Sequence, residues 1–378
     1  MKIAVYAIAK DESKFALRWA DSMAEADEIY VLDTGSADDT ADLLRSRGVI
    51  VEEERIDPWR FDAARNRSLE LVPEDTDICV CTDLDEEFEP GWRKKLEAAW
   101  QPDATRASYR YTWNFEADGA EGHVFWLDKI HIRNGYQWTH PVHEVLSWQG
   151  PGAEKRINAE GMQLNHRADP EKSRAQYLPL LELSVREAPQ DDRNMHYLGR
   201  EYLFHARWDD CINTLKKHLA LPSAVWRDER CASMRYIAKA YAAKGDFSSA
   251  EAWGWRAIAE APHLREPFMD LAFQLYQKMD WEGVVYLTGR ALKITERPGT
   301  YITESAAWGS LPWDLRSLGF YYTGQMQKAA EAIDEAIRLS PNDERLKSNR
   351  ELIDSGASAA PDPAPEEFPL WTPVGEET

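Results

Sequence analysis

Four apolar runs, at residues 3–9, 29–32, 49–54 and 77–81, have the length and β-type composition of strands, and helical periodicity fills the gaps between them. After the first run, Phe15, Leu17, Trp19 and Met23 recur among charged residues at helical spacing. The second ends in Asp33, Thr34, Gly35 and Ser36; Ser36 and Asp39 have capping-box spacing, and Gly48 closes the helix they open. A further helix is expected over residues 61–71, stopped by Pro73. Strands alternating with helices predict an α/β domain with a mostly parallel, doubly wound sheet. Ligands bind such sheets outside the C-terminal strand ends, so the polar strand ends are the candidate site.

Three of those ends carry chemistry: residues 10–13, residues 33–36, and Asp83-Leu84-Asp85-Glu86 after the fourth run. In an extended segment Asp83 and Asp85 point the same way and can hold one hard cation between them. A solvated acidic loop is the plain alternative. No Gly-x-Gly-x-x-Gly follows the first run, and Asp11 and Glu12 would repel a pyrophosphate there. Any bound phosphate therefore needs a metal to neutralise it.

Residues 3–12 (IAVYAIAKDE), 31–40 (VLDTGSADDT), 61–67 (FDAARNR) and the DLDE at 83–86 together resemble, in order, the motifs of family-2 glycosyltransferases with a GT-A fold. That resemblance implies a nucleotide-sugar donor, a UDP-sugar first among them. It assigns donor binding to Asp11, Asp33, Arg65 and Asp83, and a manganese or magnesium ion to Asp83 and Asp85. A helix arginine such as Arg65 can brace phosphate unaided, or simply pair with Asp62 on the surface. The segment Trp138 to Glu144 (WTHPVHE) resembles the VHE segment of the subgroup that builds lipopolysaccharide cores or glycosylates peptides. It makes Glu144, beside His143, the expected catalytic base, with a structural acid fixing His143 as the alternative. His166 resembles the late histidine that completes the metal shell, with Arg167, Lys172 and Arg174 close behind it. The aromatic-rich residues 100–167 read as an acceptor-side subdomain in which Trp113, Phe115, Phe125, Trp126, Tyr136, Trp138 and Trp148 mostly build a small core.

From about Asp192 the strand signal ends. Recurring small and aromatic positions (Gly199 with Tyr202, Ala238 with Tyr241 and Ala257, Ala272 with Ala291, Phe320 with Ala329 and Ala336) resemble degenerate tetratricopeptide repeats with a ~34-residue period. An insertion at residues 298–312 widens the last period. Such an α-solenoid suits a macromolecular or glycan acceptor, a protein partner or a second copy of the chain. The expected organisation is a GT-A domain over residues 1–170, a helical repeat domain over 171–354, and an acidic, Pro-rich tail over 355–378 in which Phe368 to Trp371 is an apolar island.

The net charge of −21 opposes non-specific nucleic-acid or anionic-membrane binding. No apolar stretch reaches membrane-spanning length and no signal-peptide pattern opens the chain, so a cytoplasmic protein is expected; the four cysteines show no zinc spacing. The expected activity is sugar transfer, with inversion, from the nucleotide sugar to the acceptor. Two rivals stand beside it. One is a repeat-based scaffold carrying an inactive transferase-like domain, disfavoured because clustered acids cost stability without a cation. The other is a haloacid-dehalogenase-type phosphatase, disfavoured by the late position of the Asp pair and by Glu87 four residues after Asp83.

Overall fold

The computed structural model describes residues 1–115, 119, 121–167 and 176–355. Lys172, Arg174 and the apolar island Phe368 to Trp371 lie outside them. The chain divides into two compact units, one over Met1–Ser184 with Gly299–Tyr301 and one over the rest from Val185.

Unit 1 opens as β1 (Ile3–Ala9), α1 (Ser13–Met23), β2 (Glu28–Asp33), α2 (Thr40–Arg45), β3 (Ile50–Glu53), α3 (Phe61–Glu70) and β4 (Ile78–Cys81). It continues as β5 (Glu86–Phe88), α4 (Trp92–Ala99), β6 (Arg106–Thr112), β7 (Val124–Ile132), β8 (Tyr136–Thr139), β9 (Val145–Trp148) and β10 (Arg156–His166), and α5 (Tyr177–Glu187) begins in it. Eight strands form one sheet in the order β3-β2-β1-β4-β7-β6-β10-β5, and β8 and β9 pair separately as a hairpin.

The sheet is mostly parallel as expected, with β1 to β4, β6 and β10 running in one direction and two strands against them. Strand β7 runs antiparallel to both β4 and β6, and β5 runs antiparallel to β10. Residues 100–167 therefore complete the main sheet with β6, β7 and β10 and add only one hairpin of their own. Their alternation is hidden in the sequence because charged residues interrupt the apolar pattern, Asp128 and Lys129 in β7 and Glu160 in β10.

Period-two alternation along β1 sorts the core into two layers. Ile3, Val5 and Ala7 face a layer with Phe15 and Trp19 of α1, Leu44 of α2, and Trp92 and Leu96 of α4. Ala4 and Tyr6 face the other, with Leu69 of α3 and Tyr136, Trp138 and Leu146 of the hairpin. Three side chains in this second layer form an oriented chain. The His131 Nδ1–H donates to the Ile132 carbonyl at 2.7 Å, so its Nε2 accepts from Tyr6 Oη–H at 2.8 Å, and Tyr6 Oη accepts from Trp138 Nε1–H at 2.8 Å. Burial holds His131 neutral by lowering its pKa to about 3.

Unit 2 is helical: α6 (Asp192–Phe204), α7 (Trp208–Ala220), α8 (Arg227–Ala243), α9 (Phe247–Glu260), α10 (Glu266–Gln277), α11 (Trp281–Ala291), α12 (Leu311–Tyr322), α13 (Met326–Leu339) and α14 (Glu344–Ser355). Short connections within each successive pair make four antiparallel hairpins, tetratricopeptide-like in layout. Close approach explains the small residues: a Cβ on Gly199 of α6 would lie 2.3 Å from Leu215 of α7. The insertion carries a 3-10 turn, Ser305–Trp308, and brings Glu304 to the wholly buried Arg235 of α8 at 2.7 Å. Among the described residues no helix is long and apolar enough to cross a membrane.

Candidate active site at the sheet edge

Strands β1, β2 and β4 are parallel, so the loops after them share one edge. The two reversals through β7 return β6, and β10 beside it, to the direction of β4, which brings the end of β10 to that edge as well. The strand order reverses at β1, flanked by β2 and β4, and this is where an open sheet leaves a crevice.

The first two loops are stitched together. The Asp11 backbone N–H donates to Ser36 Oγ at 2.9 Å and its carboxylate accepts from the Ala37 N–H at 2.7 Å, at a left-handed φ of 54° that Asp tolerates. Asp38 accepts from the N–H groups of Ser13 and Thr40, each at 3.1 Å. The expected Ser36–Asp39 capping box is absent: α2 has Asp39 as N-cap without a side-chain bond, because Ser36 serves Asp11 instead. Asp33 is 2% exposed. Its Oδ1 accepts from the N–H groups of Gly35 and Ser36 at 2.8 and 2.7 Å, while its Oδ2 is buried with no hydrogen-bond partner. A buried carboxylate oxygen left this way is costly unless a ligand donor reaches it.

The DLDE segment differs from expectation. It is a turn rather than an extended strand end, closed by the Glu86 N–H on the Asp83 carbonyl at 3.1 Å. Asp83 lies 2.6 Å from Arg65 Nη2 and 2.9 Å from Lys129 Nζ. Burial pushes its pKa up, but the two cations outweigh burial and hold it well below the usual carboxylate range. Glu86 is 1% exposed, accepts from the Asp83 N–H and from Tyr111 Oη–H, and has its pKa raised by burial.

Asp85 faces His166, with Oδ2 3.6 Å from Nε2 and both side chains about nine-tenths buried. The β5/β10 register explains the meeting, since Glu86 pairs with His166 and the Arg167 N–H donates to the Asp85 carbonyl at 2.7 Å. His166 Nδ1 lies 2.8 Å from the Trp113 carbonyl, and its ring stacks on Trp113 at 4.5 Å. An Nδ1–H donated to a carbonyl leaves Nε2 as the electron-pair donor, the arrangement that orients a metal-binding histidine. Burial disfavours the imidazolium, yet Asp85 outweighs it and the pKa stands above the ordinary histidine value. A carboxylate and an imidazole so placed fit a divalent ion that completes its shell with ligand oxygens.

Arg65 is 4% exposed and neither faces outward nor pairs with Asp62, which Arg60 holds at 2.9 Å. It donates to Asp83 and, from Nε, to Glu144, and it lies 5.2 Å over the Trp138 ring. Glu144 leaves the β8–β9 turn, which is pinned to α3 by the Phe61 N–H on the Pro141 carbonyl at 2.9 Å. His143 has a φ of 51° in the same turn, and its ring meets Tyr177 at 5.7 Å. Two further carboxylates of this unit are held by arginines, Asp128 by Arg106 and Arg156 and Glu121 by Arg110. Sequence reasoning misses Lys129, because only the β4/β7 register, with Val80 opposite Ile130, puts it beside the end of β4.

No protein-family model matches the chain, and no curated protein matches it. Among solved structures it is similar to MamA at 13% identity and a TM-score of 0.36, over 44% of this chain and 89% of that one. It is similar to yeast Tom70 at 14% identity and 0.38, over 49% of this chain but only 37% of Tom70. A thermophilic TPR protein of Thermus thermophilus aligns at 15% identity and 0.34, over 47% of this chain and 89% of that one. Likeness at this level establishes neither a family nor an activity.

Proposed function

We propose that the chain is a metal-dependent glycosyltransferase that moves a sugar from a nucleotide-sugar donor to an acceptor. The observation that carries this reading is the juxtaposition of Asp85 and His166 on the same sheet edge as Asp33, whose buried Oδ2 is unpartnered. Asp33 would accept from a base or ribose donor group of the nucleotide, and Asp85 and His166 would hold a manganese or magnesium ion. That ion, when bound, supplies a Lewis acid that offsets the charge of a diphosphate leaving group. Glu144 would take the acceptor proton, a role supported by its pairing with Arg65, which would fix its orientation. Asp83, neutralised by Arg65 and Lys129, would anchor the turn and present its remaining surface to the donor; its side chain keeps 31% exposure.

A second reading is a repeat-based binding protein in which unit 2 does the work. It is supported by four hairpins that leave Trp226, Phe247, Trp255 and Tyr286 at 38–54% exposure. One experiment separates the two. Nucleotide sugars are screened for metal-dependent hydrolysis, and nucleoside diphosphates for thermal stabilisation with and without Mn²⁺ or Mg²⁺. The transferase reading expects hydrolysis of at least one sugar, and stabilisation by ion and nucleotide together that exceeds either alone. A chain that turns over none and shows no joint effect belongs to the binding reading.

A further inference from the structure

Within unit 2, Asp192, His218 and Glu229 each offer a ligand atom, and these atoms lie within 4.8 Å of one another. The cluster arises because α6, α7 and α8 alternate in direction, so the start of α6, the last turn of α7 and the first turn of α8 meet at one end. Acids at helix N-termini and an imidazole near a C-terminus suit the helix dipoles, and each residue taken singly needs no further explanation. His218 goes beyond that. It is 0% exposed, its Nε2 has no hydrogen-bond partner, and Glu229 Oε1 nevertheless lies 3.3 Å from that atom.

The other face of the ring restricts its protonation. His218 Nδ1 meets Ser233 Oγ at 3.0 Å, and the same hydroxyl meets Nδ1 of the buried His196 at 2.7 Å. A hydroxyl has one proton to give, so it donates to at most one ring and at least one of the two Nδ1 atoms carries the proton. With Nδ1–H of His218 as donor, Nε2 turns a lone pair toward a carboxylate, a clash that a bound cation relieves. An Nε2–H would instead leave a wholly buried donor with no acceptor in line. The spacing points the same way, since two ligands about 2.0–2.1 Å from a tetrahedral ion lie about 3.3–3.4 Å apart.

We propose that Asp192, His218 and Glu229 bind a borderline divalent transition ion of the zinc type, clamping the ends of α6, α7 and α8. Asp192, half-buried, is the side from which the ion enters. One imidazole and two carboxylates suit such an ion better than calcium, which prefers an all-oxygen shell. This site is independent of the sheet-edge reading.

The test uses the full chain carrying Asp85→Asn, so that a cation at the sheet edge does not confuse the count. After treatment with a chelator, Zn²⁺ or Co²⁺ is added, and binding is followed by calorimetry, metal analysis and the Co²⁺ ligand-field spectrum. One equivalent should bind and raise the melting temperature. Adding Glu229→Gln, or separately Asp192→Asn, should weaken binding by at least the roughly 10–100-fold that loss of a residue merely supporting a ligand costs. These replacements preserve shape, so the test does not depend on a His218 variant folding. Failure of Zn²⁺ and Co²⁺ to bind, or unchanged affinity in both carboxylate variants, overturns the proposal.

Discussion

Replacing Arg65 by Met should destabilise unit 1 severely, and for a reason that can be separated from lost packing. The methionine keeps most of the apolar stem, so the loss is the guanidinium, which is 4% exposed and donates to both Asp83 and Glu144. Glu144, whose side chain is 11% exposed, then lies buried without its cation, and Asp83 retains only Lys129. Removing one partner of a buried pair costs about 3–5 kcal/mol, because the remaining charge is uncompensated. Glu144→Gln alone leaves Arg65 on Asp83 and should cost about 1.5–3 kcal/mol, the worth of a charged hydrogen bond. In the double variant the orphaned charge is gone, so the two costs should fall short of additivity by about 0.5–3 kcal/mol. Urea unfolding of the full chain, followed by near-ultraviolet circular dichroism, measures all four corners of the cycle. An Arg65→Met cost below about 1 kcal/mol, or strict additivity with Glu144→Gln, would refute the claim that Arg65 is the shared counter-ion of the site.

Other outcomes follow from the same edge. Asp85→Asn and His166→Ala should each remove the joint stabilisation by Mn²⁺ and a nucleoside diphosphate, read by thermal shift, whereas Asp83→Asn should retain part of it. Asp33→Asn should raise the apparent donor KM with a smaller change in kcat; the reverse pattern in steady-state kinetics would place Asp33 in the chemical step. Glu144→Gln should lower turnover by roughly two to four orders of magnitude with donor affinity near wild type, and near-normal turnover would rule it out as the base. Asp38 accepts from Ser13 and Thr40; burial opposes its ionisation, but these bonds lower its pKa to about 2. A depressed carboxylate stabilises the fold above its unfolded pKa and loses that contribution as pH falls through the folded value. Asp38→Ala should therefore cost about 0.5–1 kcal/mol at neutral pH, the low end of a hydrogen bond's net worth because the residue is exposed, and the gap to wild type in urea titrations should close between about pH 4 and pH 2.

The first four strands are legible because their side chains follow a period, and period survives without knowledge of partners. Residues 50–53 form the strand expected at 49–54, and α3 covers most of residues 61–71. What sequence does not supply is register. Lys129 reaches Asp83, and His166 reaches Asp85, only through the antiparallel placement of β7 and the β5/β10 pairing. The DLDE segment misleads for a local reason: an apolar run continuing into acids looks extended, but one backbone bond from Glu86 to Asp83 folds it into a turn. Arg65 sits on the helix its segment predicts, yet nothing in its neighbours along the chain reveals that it is buried. The helical hairpins are visible as recurring small residues, whereas the His196–Ser233–His218 contacts join three helices and leave no linear trace.

The oriented chain through Trp138, Tyr6 and His131 makes one indole a built-in reporter of the site. Its N–H has a single acceptor in a buried layer, while Arg65 lies over the face of the same ring. Any event that shifts Arg65 between Asp83 and Glu144 changes the field at that ring without touching its hydrogen bond. Nuclear magnetic resonance of the Trp138 indole would thus register occupation of the sheet edge as a change in chemical shift, and loosening of the layer beneath as faster proton exchange, so that binding and unfolding are told apart at one nucleus.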